Sequence, residues 1–277
     1  MRIGVRAHDF GKLPADILAE KIAMKGLASV QLTLEEAISD IDASYGKLNT
    51  GIAYSIGETF RKHNLQIAVL SCYINPIHPD VNIRIRNLER FKEFIRFARD
   101  FGCSIIGTET GSVNEDVSFD IRNHSEENYQ LFMSSLKELV EEAEKFGVFV
   151  GIEGVERFVI NSPHRVKRML DEVKSNHVQI IFDPLNLLSP ENHSDRDKII
   201  KDSFELFGDR IAIFHAKDYI IENGKIKSVQ LGEGLMNYEL IGRLIEAHKP
   251  YLNIIMEDVE VSKVERSISY LEKFLRR

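Results

Sequence analysis

The chain has 277 residues, 43% hydrophobic and 29% charged, an ordinary globular composition with ample material for a core. Against 43 acidic residues stand 36 basic ones, dispersed among glutamates, so the net charge is −7 and no basic stripe suits a nucleic-acid backbone. No apolar run approaches the roughly 18 residues that cross a bilayer, and no secretory leader pattern opens the chain, so no membrane association and a cytoplasmic location are expected.

Apolar runs and amphipathic stretches alternate from end to end. The runs predict strands over 3–6, 28–33, 66–72, 104–108, 148–152, 178–182, 211–215 and 252–256. Between and after them, apolar residues at helical spacing predict helices over 13–25, 51–64, 83–102, 125–146, 163–174, 194–208, 237–248 and 262–275. In the third helix Leu88, Phe91, Phe94, Ile95 and Ala98 recur at threes and fours among Arg, Lys and Glu. Ser125-Glu-Glu-Asn reads as a helix N-terminus, and Gly26, Gly102 and Gly147 read as helix stops. Cys72 and Cys103, the only cysteines, sit at the edges of strand-like runs and are expected as buried free thiols.

Near-continuous apolar strands such as 178–182 imply burial on both faces. Eight strand–helix units, no linker and no Gly-x-Gly-x-x-Gly in the first turn favour one (β/α)8 TIM barrel over residues 1–277, rather than a doubly wound sheet. Within Tyr219–Leu231 the turn signal Glu-Asn-Gly-Lys lies between Ile-rich arms, predicting a small β-ribbon inserted after strand seven.

Four strand candidates end on a polar residue of metal-ligand type. Glu153 follows Val-Phe-Val-Gly-Ile, Asp183 follows Val-Gln-Ile-Ile-Phe, His215 follows Ile-Ala-Ile-Phe, and Glu257 follows Asn-Ile-Ile-Met. In a parallel barrel the carboxyl ends of the strands converge on one mouth, so these side chains should meet there. Three carboxylates and an imidazole suit one divalent metal ion, with manganese the first expectation and Mg, Co or Zn also compatible. A polar residue that ends one strand is commonly only a turn cap; four on consecutive strands are harder to explain that way. Beside them, Lys217 and Asp218 are placed to orient a substrate oxygen, Arg157 to brace the site, and His8, Glu109 and Tyr73 to line the pocket. Asn75 joins the same wall, and Glu233, between two glycines, is expected to shape the rim. The remaining histidines fall in helices or loops and read as structural.

Gly151-Ile-Glu153, Phe182-Asp-Pro-Leu-Asn186, Phe214-His-Ala-Lys-Asp218, Leu231-Gly-Glu-Gly234 and Met256-Glu257 resemble the xylose-isomerase-like barrel superfamily, specifically its sugar phosphate isomerase/epimerase members. The resemblance spans most of the chain and is densest over 148–258. It implies that Glu153, Asp183, His215 and Glu257 bind one metal ion. It also implies that Glu153 and Glu257 serve as two proton-transfer groups on a small polyhydroxylated carbonyl compound. Removing a proton beside a carbonyl creates an enediolate, whose charge a divalent ion can stabilise. Glu153-Gly-Val-Glu-Arg-Phe158 is similar to a ketose 3-epimerase stretch, but Glu156 replaces an Asn, Val159 a Glu, and Asn186 a substrate-contacting His. These departures imply altered substrate recognition.

The alternatives are an inosose-type dehydratase on the same scaffold, a metal-dependent DNA-repair endonuclease, and a barrel that binds sugar or metal without turnover. The endonuclease reading is disfavoured by the acidic charge and the missing basic stripe. A homo-oligomer is expected only from the habits of such barrels.

Overall fold

The computed structural model describes residues 2–275; Met1, Arg276 and Arg277, the ends of the expected domain, lie outside the described residues. The chain opens with β1 (Arg2–Arg6), α1 (Ala15–Ala23), β2 (Ser29–Leu32), a single turn α2 (Leu34–Ala37), α3 (Thr50–Lys62) and β3 (Gln66–Ser71). It continues through α4 (Val81–Phe97), β4 (Ile105–Thr108), α5 (Glu126–Phe146), β5 (Phe149–Glu153), α6 (Pro163–Val173) and β6 (Val178–Phe182). The last third holds α7 (Arg196–Phe207), β7 (Ile211–Ala216), the ribbon strands β8 (Asp218–Glu222) and β9 (Lys225–Val229), α8 (Tyr238–His248), β10 (Asn253–Met256) and α9 (Val264–Leu271).

Eight of these strands close into a parallel barrel in the order β1-β10-β7-β6-β5-β4-β3-β2. The fold is therefore a (β/α)8 barrel, with β8 and β9 forming a separate antiparallel pair. β10 closes the ring by pairing with β1 on one side, Arg2 opposite Asn253, and with β7 on the other, Ile255 opposite His215. Among the described residues no helix is long and apolar enough to cross a membrane.

The helices begin and end for local reasons. Ser125 accepts a hydrogen bond from the Asn128 amide at the start of α5, whose first turn carries Glu126 and Glu127, and Gly147 ends it at φ 63°. Asp80 caps α4 through the Asn82 and Ile83 amides, so this helix starts two residues before the expected position. It also stops at Phe97, and the chain turns through Gly102 at φ 71° before entering β4. Ser162 and Pro163 open α6, the proline contributing a pre-set φ where no amide donor is needed.

Side chains alternate along each strand, so every second residue faces the barrel axis. One inward layer is apolar: Val69, Ile181, Ile213 and Ile255 form a buried cluster with Ile105 against it. Gly107 and Gly151 make room for it, because a Cβ would come 2.6 Å from the Ile181 Cδ1 at the first position and 3.0 Å at the second. Two residues further along the same faces come Gln31, Ser71, Glu109, Glu153, Asp183, His215 and Glu257. The apolar layer thus forms the floor, and the polar layer above it opens at the mouth. The larger core lies between the strands' outer faces and the helices, with Phe182 edge-on to Phe204, Phe207 and Phe214.

Candidate functional site

His215 lies at the centre of the polar layer. Its Nδ1 is 3.2 Å from Glu153 Oε1 and 3.3 Å from Glu257 Oε1. Its Nε2 is 2.7 Å from the side-chain oxygen of Gln31. Glu153, Asp183 and His215 each offer a ligand atom, and these atoms lie within 4.8 Å of one another. Glu257 stands at the edge of that triad, with Oε2 drawn to the Lys217 ammonium at 2.6 Å.

Each carboxylate is held by a different neighbour. Asn186 donates from Nδ2 to Glu153 Oε1 at 2.7 Å. Asp183 Oδ1 accepts from the amides of Leu185 at 2.8 Å and Asn186 at 3.3 Å, a turn that Pro184 helps to set. Asp183 Oδ2 is buried and is ion-paired with the Lys217 ammonium at 2.9 Å. Gln31 donates to Glu257 Oε1 at 3.2 Å and to the Tyr73 hydroxyl at 2.8 Å, and Arg6 approaches Glu257 Oε2 at 3.6 Å.

The electrostatics follow from this crowding. Burial alone would lower the His215 pKa, but the Glu257 and Glu153 charges outweigh it and hold the imidazole up at about 9. Burial would raise Glu257, yet His215, Lys217 and Arg6 hold its carboxyl down at about 2. Asp183 is raised by burial despite Lys217, and Lys217 itself is held well above its usual value by Asp183 and Glu257 against the pull of burial. Burial and the nearby Glu153 charge push Glu109 up to about 7.

These residues fit a divalent cation. Glu153, Asp183 and His215 offer two carboxylates and an imidazole, a donor set that suits such an ion, and Glu257 stands beside them. With Nε2 donating to Gln31, His215 Nδ1 would be the ligating nitrogen, and Gln31 would fix the ring's orientation and tautomer.

A cavity of about 350 Å³ opens over this set. The sequence-predicted His8, Tyr73, Glu109, Arg157, Asn186 and Lys217 all line it, together with Glu153 and Glu257. His8 is engaged with Glu36 at 3.2 Å, and the Arg157 guanidinium lies over the Phe158 ring at 4.9 Å. Asp183 and His215 lie beneath, both buried. Asp218 corrects its expected role: its carboxylate accepts from the amides of Tyr219, Gly232, Gly234 and Met236, so it organises the chain after the ribbon instead of facing substrate. Asn75 is buried and binds the Ser112 carbonyl, beside the cavity rather than in it. Glu233 lies in the turn that follows the ribbon, paired with Arg266.

Gln31, Arg6, Glu36 and Asp258 are the participants that sequence reasoning passed over. Gln31 and Arg6 carried a signal in strand parity: each lies two residues after a small inward-facing residue, Ser29 and Gly4, and Arg6 is opposite Gln31 in the β1–β2 register.

A family model described as xylose isomerase-like TIM barrel matches residues 20–274. None of the curated proteins matches. Among solved structures, D-psicose 3-epimerase from Clostridium cellulolyticum H10, determined with D-tagatose, superposes with a TM-score of 0.76 at 13% identity over 100% of both chains. The IOLI protein with a bound zinc atom gives 0.75 at 14%, again over 100% of both chains. A xylose isomerase-like TIM barrel protein from Mycobacterium smegmatis in complex with magnesium gives 0.72 at 17%, over 98% of this chain and 93% of that one. At such identities the likeness is one of fold.

Proposed function

Because the chain belongs to the xylose isomerase-like TIM barrel family, we propose that it is a divalent-metal-dependent isomerase or epimerase of a small polyhydroxylated carbonyl compound, a sugar or sugar phosphate. The observation that carries this reading is the pair Glu153 and Glu257, brought from β5 and β10 to within 3.3 Å of one imidazole nitrogen beneath a polar cavity. Two structural neighbours bind zinc and magnesium, in keeping with a metal in this barrel, and manganese, cobalt, magnesium and zinc are all compatible with the donors.

In this reading Glu153, Asp183, His215 and Glu257 hold the ion, which when bound supplies charge stabilisation for an enediolate. One glutamate removes the proton from the carbon beside the carbonyl, and the other returns a proton. Asn186 keeps Glu153 in place, and Lys217 and Arg6 keep Glu257 ionised. Lys217, Arg157, His8, Tyr73 and Asn186 line the space for substrate hydroxyls. Glu109, raised by burial and the Glu153 charge, faces the same space.

The test is NMR in deuterated water with a panel of sugars and sugar phosphates and added manganese. Incorporation of deuterium at the reacting carbon is expected, with Glu153→Gln and Glu257→Gln each suppressing it. Unchanged exchange in both variants, or full activity after chelation, refutes the proposal. A product lighter by one water would move the assignment to a dehydratase on the same scaffold.

A further inference from the structure

The carboxylates of Glu153, Asp183 and Glu257 gather around His215, but they are not held alike. Glu153 takes a neutral donor, the Asn186 amide at 2.7 Å. Asp183 and Glu257 share one ammonium instead: Lys217 Nζ is 2.9 Å from Asp183 Oδ2 and 2.6 Å from Glu257 Oε2. Strand parity explains the approach. Lys217 lies two residues after His215, just past the end of β7, so its side chain turns to the same axis from nearer the mouth. Its carbonyl is pinned by the Tyr238 hydroxyl at 2.7 Å, while the ammonium rides on a flexible four-carbon stem.

The other cations of the cavity are engaged elsewhere. Arg6 is held by Asp9 at 2.8 Å and by Asp258 at 2.7 Å, and it stands 3.6 Å from Glu257. Arg157 is exposed and lies over the Phe158 ring. Lys217 alone among these three is buried, and it points at two carboxylates that a divalent ion in this donor set would also use.

An ammonium and a divalent ion on the same carboxylates repel each other, so each weakens the hold of the other. We propose that Lys217 is a built-in competitor for the metal site, binding Asp183 and Glu257 in place of the ion and yielding them when one enters. This rests on the reading that Glu153, Asp183, His215 and Glu257 hold a divalent ion. A lysine that merely positioned Glu257 for the metal would have the opposite effect on affinity, so the sign of the change separates the two roles.

The test is manganese binding at about pH 8 to chelated wild type, Lys217→Met and Arg157→Met, read by competition with a chelating dye. Lys217→Met should lower the Kd at least about tenfold, since the repulsion reaches that much even at the dielectric of water. Arg157→Met removes an equal charge from the exposed rim, where solvent screens it, and should change the Kd less than about threefold. Unchanged or weaker binding in Lys217→Met overturns the proposal, and so does an equal gain in Arg157→Met. The empty Lys217→Met protein leaves two buried carboxylates without their cation and loses stability, so a second measurement uses only the loaded proteins. The half-time of manganese loss to excess chelator should lengthen at least about fivefold in Lys217→Met, and an unchanged or shorter one overturns the proposal. The two readings fail distinguishably. Absence of binding in all three proteins removes the metal site and the competitor together, whereas wild-type binding that Lys217→Met does not tighten removes the competitor alone.

Discussion

Glu109 should weaken the metal-free protein at neutral pH, and replacing it with glutamine should strengthen it. Its carboxyl is displaced from 4.5 to about 7, burial being the main cause and the Glu153 charge the next. An acid whose folded pKa lies above its unfolded value binds its proton more tightly when folded. The native state therefore loses stability as pH rises from the unfolded pKa toward the folded one, and bears the full cost above about 7. At about 1.4 kcal/mol per pH unit this cost is roughly 3 kcal/mol. Glutamine keeps the shape and removes the ionisation. In the chelated protein at about pH 8, Glu109→Gln should raise Tm by roughly 6–12 °C, from about 2–4 °C per kcal/mol in large single domains. At about pH 5 most of the gain should vanish, because less than about 1 kcal/mol of the cost has developed there. Reloading with metal should also shrink it, since a cation beside Glu109 favours the charged form. Calorimetry of both proteins at the two pH values measures this directly. An equal gain at both, or none at either, would refute the reasoning.

Three further outcomes are expected. Gln31→Leu removes the acceptor at His215 Nε2 and should weaken zinc binding roughly 10- to 100-fold, read by competition with a chelating dye; unchanged affinity would relieve Gln31 of any orienting role. Asp218→Ala leaves four amides without their acceptor and should cost at least about 3 kcal/mol, with faster proteolysis between β8 and β9; wild-type denaturation and cleavage rates would contradict this. Burial pushes the thiols of Cys72 and Cys103 up to about 12 and about 11, so iodoacetamide should modify neither until the protein is unfolded, as followed by intact mass.

The barrel was legible because each strand is a short apolar run closed by a turn, and each helix shows its period; all eight barrel strands lie where the runs predict them. Ends were less legible. Asp80 starts α4 early through its side chain, and the same helix unwinds after Phe97 although apolar residues continue through Phe101. The ribbon was visible in Asn223-Gly224, both at positive φ in the turn. At the site, residues that end strands stood out, whereas Gln31 did not, because it sits inside a strand and its partners are 42, 184 and 226 positions away. Asp218 was misread because Lys217 beside it faces the mouth while its own carboxylate turns toward the loop at Gly232–Met236.

The closing strand has a consequence for how the protein is made. β10 carries Glu257 to its place and can pair with β1 only after some 250 residues have been synthesised, Arg2 being opposite Asn253. Until then a nascent chain holds at most three of the four donors, on an open sheet whose two edges are unpaired. Tight metal capture would therefore mark a completed ring, and a chain arrested before β10 would leave the ribosome with its first and seventh strands exposed to other chains.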